Sequence, residues 1–247
     1  MSKWTTGYIN HITHWTPSLF SLTIMADIQP FIAGQFTQLS LEIDGQRIQR
    51  PYSFVNAPNQ NTFEFYITTI EHGKLTPYLQ QLQSGDQIQM THQSTGYFTL
   101  NEVPDCETLW MVATGTGIAP YLSMLQQKTD LARFKQIVLI HAVRYRQDLC
   151  YLPLMQQLQR FYQGKLSIQT VISRESYPNS LYGRVPQLIA NGLLEQTIGI
   201  PISAEQSHIM LCGNPAMVND TISALKQRGL SKHLRRKPGH ITSERYW

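Results

Sequence analysis

Thr108-Leu109-Trp110-Met111-Val112-Ala113-Thr114-Gly115-Thr116-Gly117-Ile118-Ala119-Pro120 is the stretch on which the fold turns. Thr108 to Thr114 is a compact apolar run, a glycine-bearing turn follows, and a helix is predicted from about Pro120. A strand that is apolar on both faces and runs straight into a helix belongs to a parallel sheet covered on both sides. The glycines let the backbone pass close to a phosphate, while N–H groups and dipole at the helix start favour negative charge. Pro120 stands where the G-x-G-x-x-G pattern places its third glycine. Taken alone, the segment therefore also reads as an ordinary tight strand-to-helix turn.

The same alternation continues downstream. Ile137–Val143 is a second buried run, Leu154, Leu158 and Phe161 recur at helical spacing, and Leu166–Ile172 and Ser207–Leu211 complete the predicted strands. A last helix is predicted from Asn214, with Pro215 at its first position and Gly229 at its end. Upstream the period changes to two. Leu39, Leu41 and Ile43 alternate with Ser40, Glu42 and Asp44 before an Asp44-Gly45 hairpin turn, and Phe63, Phe65 and Ile67 alternate with polar or amphipathic partners. Only Lys74 to Leu82 reads as helix there. The length of 247 residues exceeds the usual ~100–150 of one domain. The expectation is two domains: an antiparallel Greek-key β-barrel over residues 1–101 and a Rossmann-like parallel-sheet α/β domain over 102–247.

Bulk composition excludes several classes. The N-terminus lacks the apolar core of a signal peptide, and nothing approaches the ~18 apolar residues of a membrane span. Cys106, Cys150 and Cys212 are widely spaced, so neither a disulfide framework nor a metal site is predicted, and a cytoplasmic location is expected. Lys plus Arg (20) minus Asp plus Glu (16) gives +4. Lys232, Arg235, Arg236 and Lys237 cluster near the C-terminus, either as a solvated run or as a docking point for an acidic partner. No nucleic-acid module accompanies them.

Arg50-Pro51-Tyr52-Ser53 joins a phosphate-binding fork, a rigid aromatic face and a hydroxyl on one predicted strand. On a regular strand Arg50 and Tyr52 face one side and Ser53 the other, so one ligand meets all three only by wrapping the strand's end or edge. Gly73-Lys74-Leu75-Thr76 opens the helix of this half, where N–H groups and the Thr76 hydroxyl suit a pyrophosphate. In the second half, Arg144 and Arg174 end successive strands and Arg184 follows in a Gly-bearing loop. An arginine where an NAD site carries an acid favours NADP. Cys212-Gly213-Asn214-Pro215 closes the last predicted strand. Cys212 is open to three readings: a small core residue, a compact neighbour of a nicotinamide ring, or a nucleophile lacking an evident base. The chain ends Ser243-Glu244-Arg245-Tyr246-Trp247, two terminal aromatics that pack either into a core or onto a flat ligand.

In order, R-P-Y-S, G-K-L-T, T-G-T-G-I-A-P, C-G-N-P-A-M and E-R-Y-W resemble the ferredoxin–NADP reductase family, nearest to its bacterial ferredoxin/flavodoxin branch. The resemblance implies a barrel holding FAD and an α/β domain holding NADP, with the tail returning to the flavin. It places Arg50, Pro51, Tyr52, Ser53, Tyr66, Ile67, Thr68, Lys74, Leu75, Thr76, Thr116, Tyr246 and Trp247 at FAD. Tyr246 is preferred on the isoalloxazine and Trp247 on the adenine. Gly115, Gly117, Arg144, Ser173, Arg174, Arg184 and Gly213 fall at NADP, the arginines with Ser173 on the 2′-phosphate. Ser53, Glu244 and Cys212 lie at the reacting rings. The implied reaction is hydride exchange between NADP(H) and FAD, then single-electron exchange with acidic ferredoxin or flavodoxin, by a monomer without membrane or nucleic-acid partners. Two alternatives stand beside it: an NAD(P)H-dependent reductase serving an oxygenase or free flavin, and a flavin-binding sensor without turnover.

Overall fold

The computed structural model describes residues 3–246. Its contacts divide the chain into two compact units. One holds the residues up to Leu100 together with Ala119–Lys128, and the other holds Asn101–Ile118 and the chain from Thr129 onward.

The first unit is antiparallel. Strands β1 (Trp4–His14), β2 (Leu19–Met25), β3 (Phe36–Ile43), β4 (Gln46–Ser53), β5 (Phe63–Thr68) and β6 (Gln87–Thr91) form one sheet in the order β4-β3-β6-β1-β2-β5. The β3–β4 hairpin turns at Asp44-Gly45, both with positive φ (52° and 71°), the conformation a two-residue turn needs to follow the strand twist. The sheet curls until its outer strands meet at one bridge, Phe54 to Phe65, reinforced by the Val55 N–H donating to the Glu64 carbonyl at 2.8 Å. Phe54 fixes that closure: it is fully buried, stacks on Phe31 at 3.8 Å and meets Phe63 and Phe65. Alternation is less regular than the sequence suggests, because Ser40 is as buried as Leu39. Two helices complete the unit, α1 (Thr76–Gln81) and α2 (Ala119–Gln127). Ser123 of α2 donates to the Asn56 carbonyl at 2.7 Å and Gln126 to the Val55 carbonyl at 2.7 Å, pinning α2 to the segment after β4.

The second unit is a parallel sheet in the order β10-β9-β8-β7-β11-β12, built from β7 (Thr108–Thr114), β8 (Gln136–Val143), β9 (Leu166–Ile172), β10 (Ser180–Tyr182), β11 (Ser207–Gly213) and β12 (Ile241–Arg245). Helices α3 (Leu152–Phe161), α4 (Val185–Ala190), α5 (Leu193–Ile198) and α6 (Pro215–Gln227) accompany it. One face buries Trp110, Val112, Ile140, Val171 and Leu211 against α4 and α6 residues such as Leu188 and Val218. The order of succession reverses at β7, which makes the gap between β7 and β11 the switch point where such sheets open to ligands. Asn214 caps α6 as expected, accepting from Ala216 and Met217 N–H groups at 2.9 and 3.3 Å, with Pro215 next.

Three details depart from the sequence reading. Strands β10 and β12 were not anticipated, and both add to the edges of the sheet by backbone pairing. On α3 the buried positions are Met155 and Leu158, while Phe161 is exposed. Among the described residues no helix is long and apolar enough to cross a membrane.

Candidate functional site

In the first unit the sequence motif forms one lip of an open seam. Continuing the Phe54–Phe65 register would set Ser53 against Tyr66, Tyr52 against Ile67 and Pro51 against Thr68. Among the described residues no ladder joins β4 to β5 there. Pro51 has no N–H to offer such a ladder, as suits an edge strand. The seam therefore runs between Arg50–Ser53 and Tyr66–Thr68, placing seven predicted site residues along its two lips. It also resolves the constraint on Arg50, Tyr52 and Ser53, since a ligand entering along the strand edge reaches both faces. Arg50 is exposed, Tyr52 half-buried and Ser53 buried. Burial pushes the Tyr52 phenol well above its ordinary pKa, against a weaker pull from Arg50, so it stays a neutral hydroxyl.

Beside the seam, Gly73-Lys74-Leu75-Thr76 makes a pinched turn, with the Gly73 N–H donating to the Ile70 carbonyl at 2.8 Å. A Cβ on Gly73 would lie 2.9 Å from that carbonyl oxygen. The Thr76 hydroxyl oxygen accepts from the Ile70 N–H at 2.9 Å, and Leu75 is part of the barrel core. Of these residues only Lys74 projects its side chain into solvent.

In the second unit the ends of β7 and β11 touch through their backbones. A Cβ on Gly117 would sit 2.8 Å from the Cys212 carbonyl oxygen, and one on Gly213 (φ 128°) only 2.2 Å from Thr114 Oγ1. Gly115 is also left-handed, at φ 52°. The Asn214 N–H donates to Thr114 Oγ1 at 2.9 Å and so ties the two strand ends together. Thr116 is buried in the turn between them. The close approach at Gly117 and Gly213 is thus one of chain against chain, with the Thr114 hydroxyl set between the two strand ends.

β12 brings Glu244 beside Cys212 in the ladder, and the Tyr246 N–H donates to the Gly213 carbonyl at 3.0 Å. Burial raises the Glu244 carboxyl to about 7, and its Oε2 is buried without a hydrogen-bond partner. Cys212 is fully buried; burial first and the Glu244 charge second push its thiol well up, against a hydrogen bond from Tyr246. A buried thiol held protonated suits a compact neighbour or core residue better than a nucleophile. Trp247 lies outside the described residues.

At the other edge, Arg144, Arg174 and Arg184 are drawn together by the backbone. The Arg174 N–H donates to the Arg144 carbonyl at 3.0 Å, Ser173 to the Val143 carbonyl at 3.1 Å, and Gly183 to the Ile172 carbonyl at 3.0 Å. All three arginines are exposed, and among the described residues none forms a salt bridge. The basic run near the C-terminus is different. Arg235 is spent on a bidentate pair with Glu102 (2.9 and 3.2 Å). Lys232 bridges Ile241, at the opposite end of β12 from Glu244. The sequence reading passed over His141, a fully buried histidine whose Nε2 lies 3.0 Å from the Gly115 carbonyl oxygen. A lone imidazole in the apolar run Ile137–Val143 was the available signal.

Two families match successive parts of the chain, the second taking in the Ala119–Lys128 segment that packs with the first unit. A family described as "Oxidoreductase FAD-binding domain" matches residues 11–98, and one described as "Oxidoreductase NAD-binding domain" matches 111–222. The chain is 57% identical to the flavodoxin/ferredoxin–NADP reductases of Escherichia coli (strain K12) and Shigella flexneri, covering all of each. It superimposes on a ferredoxin NADP+ reductase from Neisseria gonorrhoeae, crystallised with bound FAD and NADP, with a TM-score of 0.94 at 33% identity over 99% of both chains.

Proposed function

The chain belongs to the flavodoxin/ferredoxin–NADP reductase family, and from that premise we propose how its residues divide the work. It is an FAD-dependent oxidoreductase that exchanges a hydride between NADP(H) and flavin and single electrons with ferredoxin or flavodoxin. When bound, FAD supplies the conversion between two-electron and one-electron chemistry. The protein supplies binding, orientation and exclusion of water.

The observation that carries the assignment is the open seam in the barrel. A flat heterocycle needs an apolar slot with a few polar edges, and the seam offers Tyr52 and Tyr66 with Ser53 and Thr68 among them. Arg50 neutralises phosphate on one side, and Lys74 with the backbone of Leu75 and Thr76 does so on the other. Ser53 is the hydroxyl placed to hydrogen-bond the reacting edge. Tyr246 and Trp247 are assigned to the same cofactor, Tyr246 to its ring system and Trp247 to its adenine, and Thr116 to the junction of FAD with NADP(H).

For NADP(H), the glycine turn of Gly115 and Gly117, with Gly213 beside it, suits a pyrophosphate, and Arg144, Ser173, Arg174 and Arg184 suit a 2′-phosphate. Glu244 and Cys212 flank the nicotinamide. A carboxyl raised to about 7 holds or releases a proton near neutrality. The protein is proposed to act as a monomer in the cytoplasm, where its three free thiols stay reduced, without nucleic acid.

The test is the visible spectrum of the purified protein before and after anaerobic NADPH, with NADH as control. Bleaching by NADPH at far lower concentration than by NADH is expected. A flavin that fails to bleach would leave a binding protein without turnover. Equal bleaching by both nucleotides would favour a reductase serving an oxygenase or free flavin.

A further inference from the structure

His141 is the one polar residue of β8 beyond Gln136, and it is fully buried. A carbonyl oxygen can only accept, so the 3.0 Å contact with Gly115 puts the proton on Nε2 and leaves Nδ1 as a bare lone pair. That Nδ1 has no hydrogen-bond partner among the described residues. Burial pulls the imidazole down to about 4, with the Gly115 hydrogen bond opposing, so the ring is a neutral donor near neutral pH. An apolar residue would fill this position without the cost of an orphaned polar atom. The Nε2–H contact is what offsets that cost.

Its effect passes through one peptide unit. Gly115 is left-handed, and its carbonyl is drawn inward onto His141. Across a trans peptide the carbonyl of Gly115 and the N–H of Thr116 point in opposite directions. Holding the first inward turns the second outward. We propose that His141 is a positioning residue for the dinucleotide: its Nε2–H pins the Gly115 carbonyl and thereby aims the Thr116 N–H at the pyrophosphate. This rests on the NADP(H) reading of the Thr114–Gly117 turn. His141 itself touches no substrate.

The experiment is calorimetric titration of the FAD-loaded protein with NADP+ and with adenosine 2′-monophosphate, which lacks a pyrophosphate, for wild type, His141→Gln, His141→Asn and His141→Leu. Glutamine carries an N–H to the reach of Nε2, and its NADP+ affinity should stay within about twofold of wild type. Asparagine is too short and leucine has no donor, so both should bind NADP+ roughly three- to tenfold more weakly, the worth of one net hydrogen bond. Adenosine 2′-monophosphate should bind all four proteins alike. In turnover the same two variants should raise KM for NADPH and leave the saturating rate of flavin reduction unchanged. Should leucine not fold, asparagine against glutamine decides the matter. Wild-type NADP+ affinity in the asparagine variant would overturn the proposal. So would an equal loss of both ligands, the mark of general damage. A wild-type protein that binds neither compound would overturn the nucleotide reading, and this inference with it.

Discussion

The seam of the barrel and the strand-end cradle of the α/β unit are built by opposite means. At the seam two strands that ought to pair stand apart, and the walls are side chains: Tyr52, Ser53, Tyr66, Thr68. At the cradle two strand ends approach so closely that Gly117 and Gly213 leave no room for a Cβ, and main chain with the Thr114 hydroxyl fills the gap. The first site is tunable, because a lip residue can change while the seam remains. The second tolerates little change at Gly117 and Gly213, because an added Cβ there would fall within 3 Å of atoms on the strand end opposite.

The largest effect expected is on the closure of the seam. Phe54→Ala empties the aromatic cluster that brings β4 to β5, and should cost about 3–5 kcal/mol in chemical denaturation. FAD affinity should fall with it, while adenosine 2′-monophosphate still binds whatever protein remains folded. Gly213→Ala is the matching test of the cradle. Its Cβ would meet Thr114 at 2.2 Å in a backbone conformation that L-residues avoid. A loss of about 2–4 kcal/mol is expected, with NADP+ binding lost before FAD binding. If alanine is tolerated there, the cradle is not a main-chain contact and the contrast fails.

Next comes Arg174→Ala, which removes a charge-assisted contact to phosphate. KM for NADPH should rise roughly 10- to 100-fold while KM for NADH stays put. Movement of both together would disprove the 2′-phosphate role. Smaller still is Ser53→Ala, one hydroxyl on a lip that otherwise persists. Stopped-flow flavin reduction by NADPH should slow roughly tenfold with FAD still bound. An unchanged rate would make Ser53 a wall and nothing more.

A last test sharpens the contrast through pH. Glu244 is raised to about 7 in the folded protein, so the folded state holds its proton where the unfolded chain has released it. Its contribution is complete below the unfolded carboxyl pKa and is lost as pH rises through about 7. His141 and His208 run the other way, lowered to about 4 and about 3 by burial. Their neutral burial contributes stability above the unfolded histidine pKa, which disappears as pH falls towards those values. Melting of the cofactor-free protein between pH 5 and 8 should therefore lose its alkaline decline in Glu244→Gln and keep its acid limb. An unaltered decline would mean that Glu244 is not the group responsible.

Much of this architecture was legible because its causes are local. The switch from period two to continuous apolar runs marks where one kind of sheet ends and the other begins. Asn214-Pro215 announces a helix start, and Asp44-Gly45 a hairpin. What escaped depends on partners distant in the chain. β12 (Ile241–Arg245) is mostly polar and becomes a strand only because β11 offers it a backbone edge. The opening of the seam is a ladder not formed, which leaves no trace in composition. Arg235 reads as surface charge until Glu102, far away in sequence, is seen to neutralise it. At the sites, the side-chain lip was recognisable as R-P-Y-S. The role of His141 was not, since it acts through the peptide of another residue.

The pinning of α2 to Val55 and Asn56 has an evolutionary corollary. The chain leaves the barrel at Leu100, returns to it for Ala119–Lys128, and leaves again. A fragment cut after residue 101 would lack the donors Ser123 and Gln126, stranding two carbonyls of the segment that follows Ser53. The flavin half is thus no detachable cassette. Recombination between reductases that swaps one half must carry α2 with the barrel, or exchange both halves at once.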